Sequence, residues 1–223
     1  MRPVDAVGFV SAGIAGLMAG RVTGMMVRRE LLVRRPSDEA GAFNRSLYPI
    51  ALVLNLALYV CLFWRLGLSS AFLLAGLFTS VLVAVSLVDL VTHTIPNSFV
   101  AAGLAIAAAG LPARIIRTGE WIGGALCAGL VFLVISVVSR GGMGGGDVKL
   151  AFVIGGAVGW PGAVVFLMAT FITGAVVALI LMAAGLKGRR DYIPFGPVMA
   201  AGAVVTFLWG NAFIHWYVAR FMV

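Results

Sequence analysis

Apolar residues in this chain run in long stretches broken by short polar segments. Residues 46–64, 66–88 and 121–139 each approach the ~20 residues that a helix needs to cross a ~30 Å hydrocarbon core. Residues 98–113 form a shorter stretch of the same kind. Residues 6–20 begin another, which continues past Arg21 to about residue 27 because an arginine can snorkel to the surface. The run 150–186 has 37 residues without a charge. As one helix it would be ~55 Å long, well beyond the hydrocarbon core, so it reads as two spans. Gly159-Trp160-Pro161-Gly162 is the break, since glycine and proline both punctuate helices. Residues 193–219 form the last span. The expected fold is all-α: a polytopic membrane protein of about eight transmembrane helices, making one transmembrane domain over 1–223.

Composition agrees. The chain is 62% hydrophobic and 11% charged, where a soluble domain carries about a quarter charged residues. Its net charge of +8 would suggest nucleic acid if the bases shared a soluble face. Here they punctuate the apolar runs, so no nucleic-acid partner is expected, and the bilayer is the expected solvent. Cys61 and Cys127 lie inside apolar runs with no CxxC, and read as buried small hydrophobes, with no zinc site made from cysteine.

The basic residues also orient the chain. Arg28, Arg29, Arg34, Arg35, Arg45, Arg140, Lys149, Lys187, Arg189 and Arg190 fall on one side of the expected spans. Arg2, Arg65, Arg114, Arg117 and Arg220 fall on the other. Ten against five makes the first side cytoplasmic, with a short basic loop at 28–45 and both termini extracytoplasmic. Trp64, Trp121, Trp160 and Trp216 near the outer span ends read as interfacial anchors. The chain start has only Arg2, offset by Asp5, so it reads as a span rather than a cleaved signal.

Of the eight acidic residues, Asp5, Glu30, Asp38, Glu39, Glu120 and Asp191 fall in loops or at chain ends. Asp89 and Asp147 directly adjoin apolar runs, where a carboxylate is costly and is a functional hypothesis by default. Two expected spans separate them, which returns the chain to the same face at similar depth. Two carboxyls sharing a site cannot both ionise, so one holds a proton while the other activates water. Position alone leaves other readings open: each aspartate could pair with a base such as Lys149 or Arg140 at a helix end, or serve a proton or cation relay. The glycine-rich stretch 141–146 lacks both a Walker pattern and a Rossmann fingerprint. Its glycines allow unusual φ values and close approach of an extended chain. Asp147 opens the next helix, whose dipole favours its ionised form. Neither His93 nor His215 has the companions a metal site needs. Ser86 and Ser98 show no base and acid partners for a serine nucleophile. Asn55, in mid-span, reads as a helix–helix hydrogen bond.

Three stretches resemble the type IV prepilin peptidases: Asp89 followed by Ile95-Pro96-Asn97, the GxGD-like Gly144-Gly145-Gly146-Asp147 with Lys149-Leu150, and Ile193-Pro194-Phe195-Gly196-Pro197. The stretch from Gly20 to Arg28 is weakly similar too. The resemblance implies a peptidase core over 66–219. It implies that Asp89 and Asp147 cut the basic leader of a prepilin or pilin-like precursor at the cytoplasmic membrane face, with no metal or cofactor. Ile95, Pro96, Asn97, Gly144, Gly146, Pro194 and Gly196 carry over as scaffold, and Lys149 occupies a family lysine position without a catalytic role. Longer members carry a Cys-rich cytoplasmic domain and methylate the new N-terminus. The stretch 28–45 has no cysteine, so methyl transfer is not expected. The competing classes are a small transporter or channel using the aspartates as an ion site, and a non-catalytic pilus-assembly scaffold.

Overall fold

The computed structural model describes residues 6–34, 47–113, 115–139, 142–188 and 191–221. These form eight helices: α1 (Ala6–Arg34), α2 (Tyr48–Leu66), α3 (Ser70–Thr92), α4 (Asn97–Ala109), α5 (Thr118–Val138), α6 (Gly145–Val158), α7 (Gly162–Ala183) and α8 (Gly196–Phe221). The count matches the sequence reading, and the chain is a polytopic membrane protein. Six helices are long and apolar enough to cross a bilayer. The other two, α4 with 13 residues and α6 with 14, are each ~20 Å long, shorter than the ~30 Å core. The run 98–113 stops early because Gly110-Leu111-Pro112 forms a turn. The stretch 28–45 is helical as far as Arg34, and 35–46 lies outside the described residues. Arg2, Arg35, Arg45, Arg114, Arg140, Arg189 and Arg190 of the orientation argument also lie outside them.

The helices fall into two compact units, Met1–Arg117 and Thr118–Val223. In the first unit, α1 meets α2 along a glycine seam. A Cβ at Gly16 would lie 2.9 Å from the Asn55 carbonyl and the Leu56 Cα, and one at Gly20 would lie 2.9 Å from the Leu52 Cα. Gly24 faces the Tyr48 ring. Glycines four residues apart stack on one helix face and admit the partner backbone, which is how helices pack where water gives no drive. The falling partner numbers make the pair antiparallel.

Polar groups pin α2 to α3. Ser80 Oγ donates to Asn55 Oδ1 at 2.7 Å, and Asn55 Nδ2 donates to the Ala51 carbonyl at 2.9 Å. Asn55 therefore makes the interhelical bond expected of it. Nearer the other end, Phe72 packs edge-on to Tyr59 and Phe63, with ring centroids 5.8 and 5.9 Å apart. Ser80→Ala leaves the buried Asn55 oxygen without this donor and is expected to cost about 1 kcal/mol. Thermal denaturation of the purified protein checks this, and an unchanged midpoint would refute it.

In the second unit, α5 and α6 cross on small residues. Gly124 lies against the Gly155 carbonyl and the Gly159 backbone, and a Cβ at Gly155 would sit 2.7 Å from the Ala128 Cβ. Trp121 is half-buried. Its ring lies over Gly156, edge-on to Phe152 with centroids 6.0 Å apart. Trp64, Trp160 and Trp216 are exposed, as an interfacial role requires. The break between α6 and α7 falls at Gly159–Pro161, as read from the sequence. Gly159 has φ 68° and its N–H caps the Gly155 carbonyl at 2.8 Å, and the Trp160–Pro161 bond is cis.

Candidate active site

Asp89, which follows the apolar run 66–88, lies inside the last turn of α3 and is 1% exposed. Its carbonyl accepts the His93 N–H at 2.9 Å, and His93 takes a left-handed conformation with φ 52°. This cap ends α3 on a non-glycine residue, a conformation that costs roughly 1–2 kcal/mol. Thr92 Oγ1 lies 2.9 Å from both the Val88 carbonyl and Thr94 Oγ1. Pro96 is buried and forces extended backbone before it, so α3 cannot continue into α4. Its carbonyl accepts the Phe99 and Val100 N–H groups at 3.2 and 3.3 Å and opens α4. Ile95 is half-buried, and Asn97 is exposed at the start of α4. The Asp89-to-Asn97 segment is thus a pinned helix–turn–helix that fixes the aspartate's backbone. Ser86 Oγ bonds the Leu82 carbonyl at 2.7 Å, which uses the hydroxyl within its own helix.

Helix register gives the depth of Asp89 within its unit. Ser80 is level with Asn55. Asp89 is nine residues past Ser80, ~13.5 Å, while Tyr48, the first residue of α2, is seven residues from Asn55, ~10.5 Å. Asp89 therefore lies ~3 Å beyond the level of Tyr48, the first residue of α2.

Asp147 is in the first turn of α6 and is 4% exposed. Its carboxylate accepts the Gly144 N–H at 3.1 Å, while its own N–H donates to the Gly144 carbonyl at 3.1 Å. These reciprocal bonds close the helix start, where the dipole favours negative charge. Ser136 Oγ, near the end of α5, donates to the Met143 carbonyl at 3.1 Å and ties the turn back. Gly129 packs on Phe152, so Asp147, five residues earlier on the antiparallel α6, is level with the last turn of α5, ~6 Å short of its end.

The glycines here act differently from expectation. Gly142, Gly144, Gly145 and Gly146 all avoid positive φ, Gly144 having φ −72°. Unusual backbone is not their role among the described residues. A Cβ at Gly144 would touch Asp147 Oδ2 at 3.4 Å, whereas one at Gly145 would meet nothing within 4 Å. Gly145→Ala is thus expected to keep cleavage within about twofold of the unaltered protein, because helix starts accept alanine sterically. A leader-cleavage assay with loss beyond tenfold would show that the open space is needed. Lys149 is exposed.

Phe195, quoted in the third sequence stretch but given no role there, is a structural hub. Its ring lies 5.9 Å from Phe132 of α5, which stacks on Phe171 of α7 at 5.7 Å. The Phe195 carbonyl accepts the Met199 N–H at 3.0 Å, Gly196 is buried at the start of α8, and Pro194 is half-buried. Phe132 lies between Gly129 and Ser136 on α5, which face Phe152 and Met143. The third stretch is therefore level with Asp147 within its unit. An aromatic between two prolines at a span end was the available signal.

Comparison with known proteins agrees with these motifs. A profile described as the type IV leader peptidase family matches residues 76–179, which include Asp89 and Asp147 but end before Pro194. A prepilin leader peptidase/N-methyltransferase of Bacillus subtilis is 32% identical over 176 residues, 77% of this chain and 70% of the relative. Proteins of the same description from Legionella pneumophila and Xanthomonas campestris are 29% and 28% identical, over 78% and 84% of this chain. The matches span 63% and 67% of those two relatives. No solved structure matches the chain.

Proposed function

This chain belongs to the type IV leader peptidase family and is a multi-pass membrane leader peptidase, and from that premise we propose that Asp89 and Asp147 are its catalytic pair. The observation that carries the reading is burial: among the described residues, these two aspartates are the buried charged-type side chains, every other described acid or base being at least partly exposed. Both lie within the matched region and in the terminal turns of their helices. Charge at such depth is costly and is kept where it has work to do. An ion-carrying site would belong near the middle of the apolar layer. The level of Asp89 beside the first residue of α2, rather than beside its midpoint, favours hydrolysis of a chain presented from water.

The chemistry needs one proton between the two carboxyls. The ionised carboxylate takes a proton from water as the water oxygen bonds to the scissile carbonyl carbon. The protonated carboxyl meanwhile gives its proton to the carbonyl oxygen. Collapse of the tetrahedral diol breaks the C–N bond. The leaving amine takes the proton held by the first carboxyl, and the diol returns the other. The products are a carboxylic acid and an amine, and the dyad is restored.

The substrate in this reading is the basic leader of a prepilin or pilin-like precursor, cut at the cytoplasmic face. The Arg28 and Arg29 end of α1 lies on the same side of its unit as Asp89, as the positive-inside rule requires of that face. The connection between α1 and α2 has no cysteine, which supports peptidase action without methyl transfer. The test is co-expression with a candidate precursor, following leader loss by gel shift and the new N-terminus by mass. Shortening with an unmethylated N-terminus is the expected result. Failure to shorten any pilin-like precursor would overturn the reading.

A further inference from the structure

Arg21 is exposed on α1, three residues before Gly24, whose partner Tyr48 opens α2. It lies ~5 Å inside the level at which the α2 span begins. Met18, Val22 and Met25 around it are exposed apolar side chains, so this face of α1 looks onto acyl chains. An uncompensated guanidinium there is costly. Glu30 is nine residues on, about half a revolution round the helix. Among the described residues no acidic side chain pairs with Arg21.

Arg28 is also exposed. It follows Arg21 by seven residues, which places it on the same face about 10.5 Å further along the axis. Arg21 snorkelling outward and Arg28 folding back would bring two guanidiniums to the level of Met25, where the apolar layer meets headgroups. Planar, permanently charged guanidinium pairs match phosphate oxygens, and the low dielectric at this depth strengthens the contact.

We propose that Arg21 and Arg28 form a binding site on the lipid-facing side of α1 for the phosphate of an anionic phospholipid headgroup. The occupant is a lipid rather than a soluble anion because the exposed Met18, Met25 and Ile14 on that face supply the surface for its acyl chains. Its charge complements the two arginines at the depth where phosphodiesters lie.

The test is native mass spectrometry of the purified full chain exchanged with equal amounts of phosphatidylglycerol and phosphatidylcholine. The unaltered protein retains phosphatidylglycerol preferentially, and millimolar inorganic phosphate leaves it bound. Arg21→Gln and Arg28→Gln each reduce that preference about fivefold, and Arg21→Lys keeps most of it. Circular dichroism and monodispersity identify any variant that fails to fold, and the remaining variants then decide. Equal retention of the two lipids, an unchanged preference in both glutamine variants, or displacement by inorganic phosphate would each overturn the site.

Discussion

Asp89→Asn and Asp147→Asn each reduce leader cleavage by at least about 10³-fold, and the double variant is scarcely worse than either single one. In the proposed dyad the reason is the shared proton. An amide is the size of a carboxyl, but it can neither take a proton from water nor return one to the leaving amine. The substitution tests chemistry apart from folding because the structure predicts little cost to stability. At position 147 the amide oxygen still accepts the Gly144 N–H, now bonded to Asp147 Oδ2 at 3.1 Å. At position 89 it removes a potential buried charge from a side chain that is 1% exposed. Both variants should reach normal membrane levels. Leader processing, read by gel shift against immunoblotted enzyme, decides it. Appreciable cleavage by either variant would remove that aspartate from the mechanism.

The second large effect is structural. Gly155→Val is expected to destabilise the protein by about 3 kcal/mol or more and to abolish cleavage with it. The first added carbon would meet the Gly124 carbonyl and stand 2.7 Å from the Ala128 Cβ. The obstacle is helix backbone, which cannot swing aside as a flexible side chain can. α5 and α6 would have to separate, forfeiting the close contact that holds helices together in lipid. α6 carries Asp147 in its first turn, so the site moves with the packing. Thermal denaturation in detergent and membrane abundance are the measurements. Gly145→Ala, whose Cβ meets nothing within 4 Å, is the contrast. A Gly155→Val protein with an unchanged midpoint would show that the crossing is looser than the geometry requires.

Much of the fold and of the candidate site was legible because membranes make rules simple. An apolar run must be helical, since lipid offers the backbone no hydrogen bonds. A carboxylate beside such a run is conspicuous for its cost. That is why Asp89 and Asp147 stood out, why Asn55 was readable as a bond between helices, and why the 37-residue run 150–186 demanded its break at Gly159–Pro161. Less legible were helix ends and inward faces. Residues 98–113 read as a span, yet α4 ends at Ala109, because a Gly-Leu-Pro turn closes it before the apolar residues run out. Trp121 read as an interfacial anchor, yet packs over Gly156. Hydropathy does not distinguish a tryptophan facing headgroups from one facing a glycine.

By itself, then, the sequence determined that the chain is a helical membrane protein, where most spans lie, and which two acids carry the exceptional cost. Length, charge and turn chemistry are local properties and can be read in order along the chain. Only the tertiary structure decided which glycines serve packing and which face open space, that Phe195 joins α5, α7 and α8, and that Asp89 lies level with the start of α2. Those facts depend on the register between helices that are distant in sequence. Register is settled by close contact of small residues and by a few interhelical hydrogen bonds, and no single run of residues contains it.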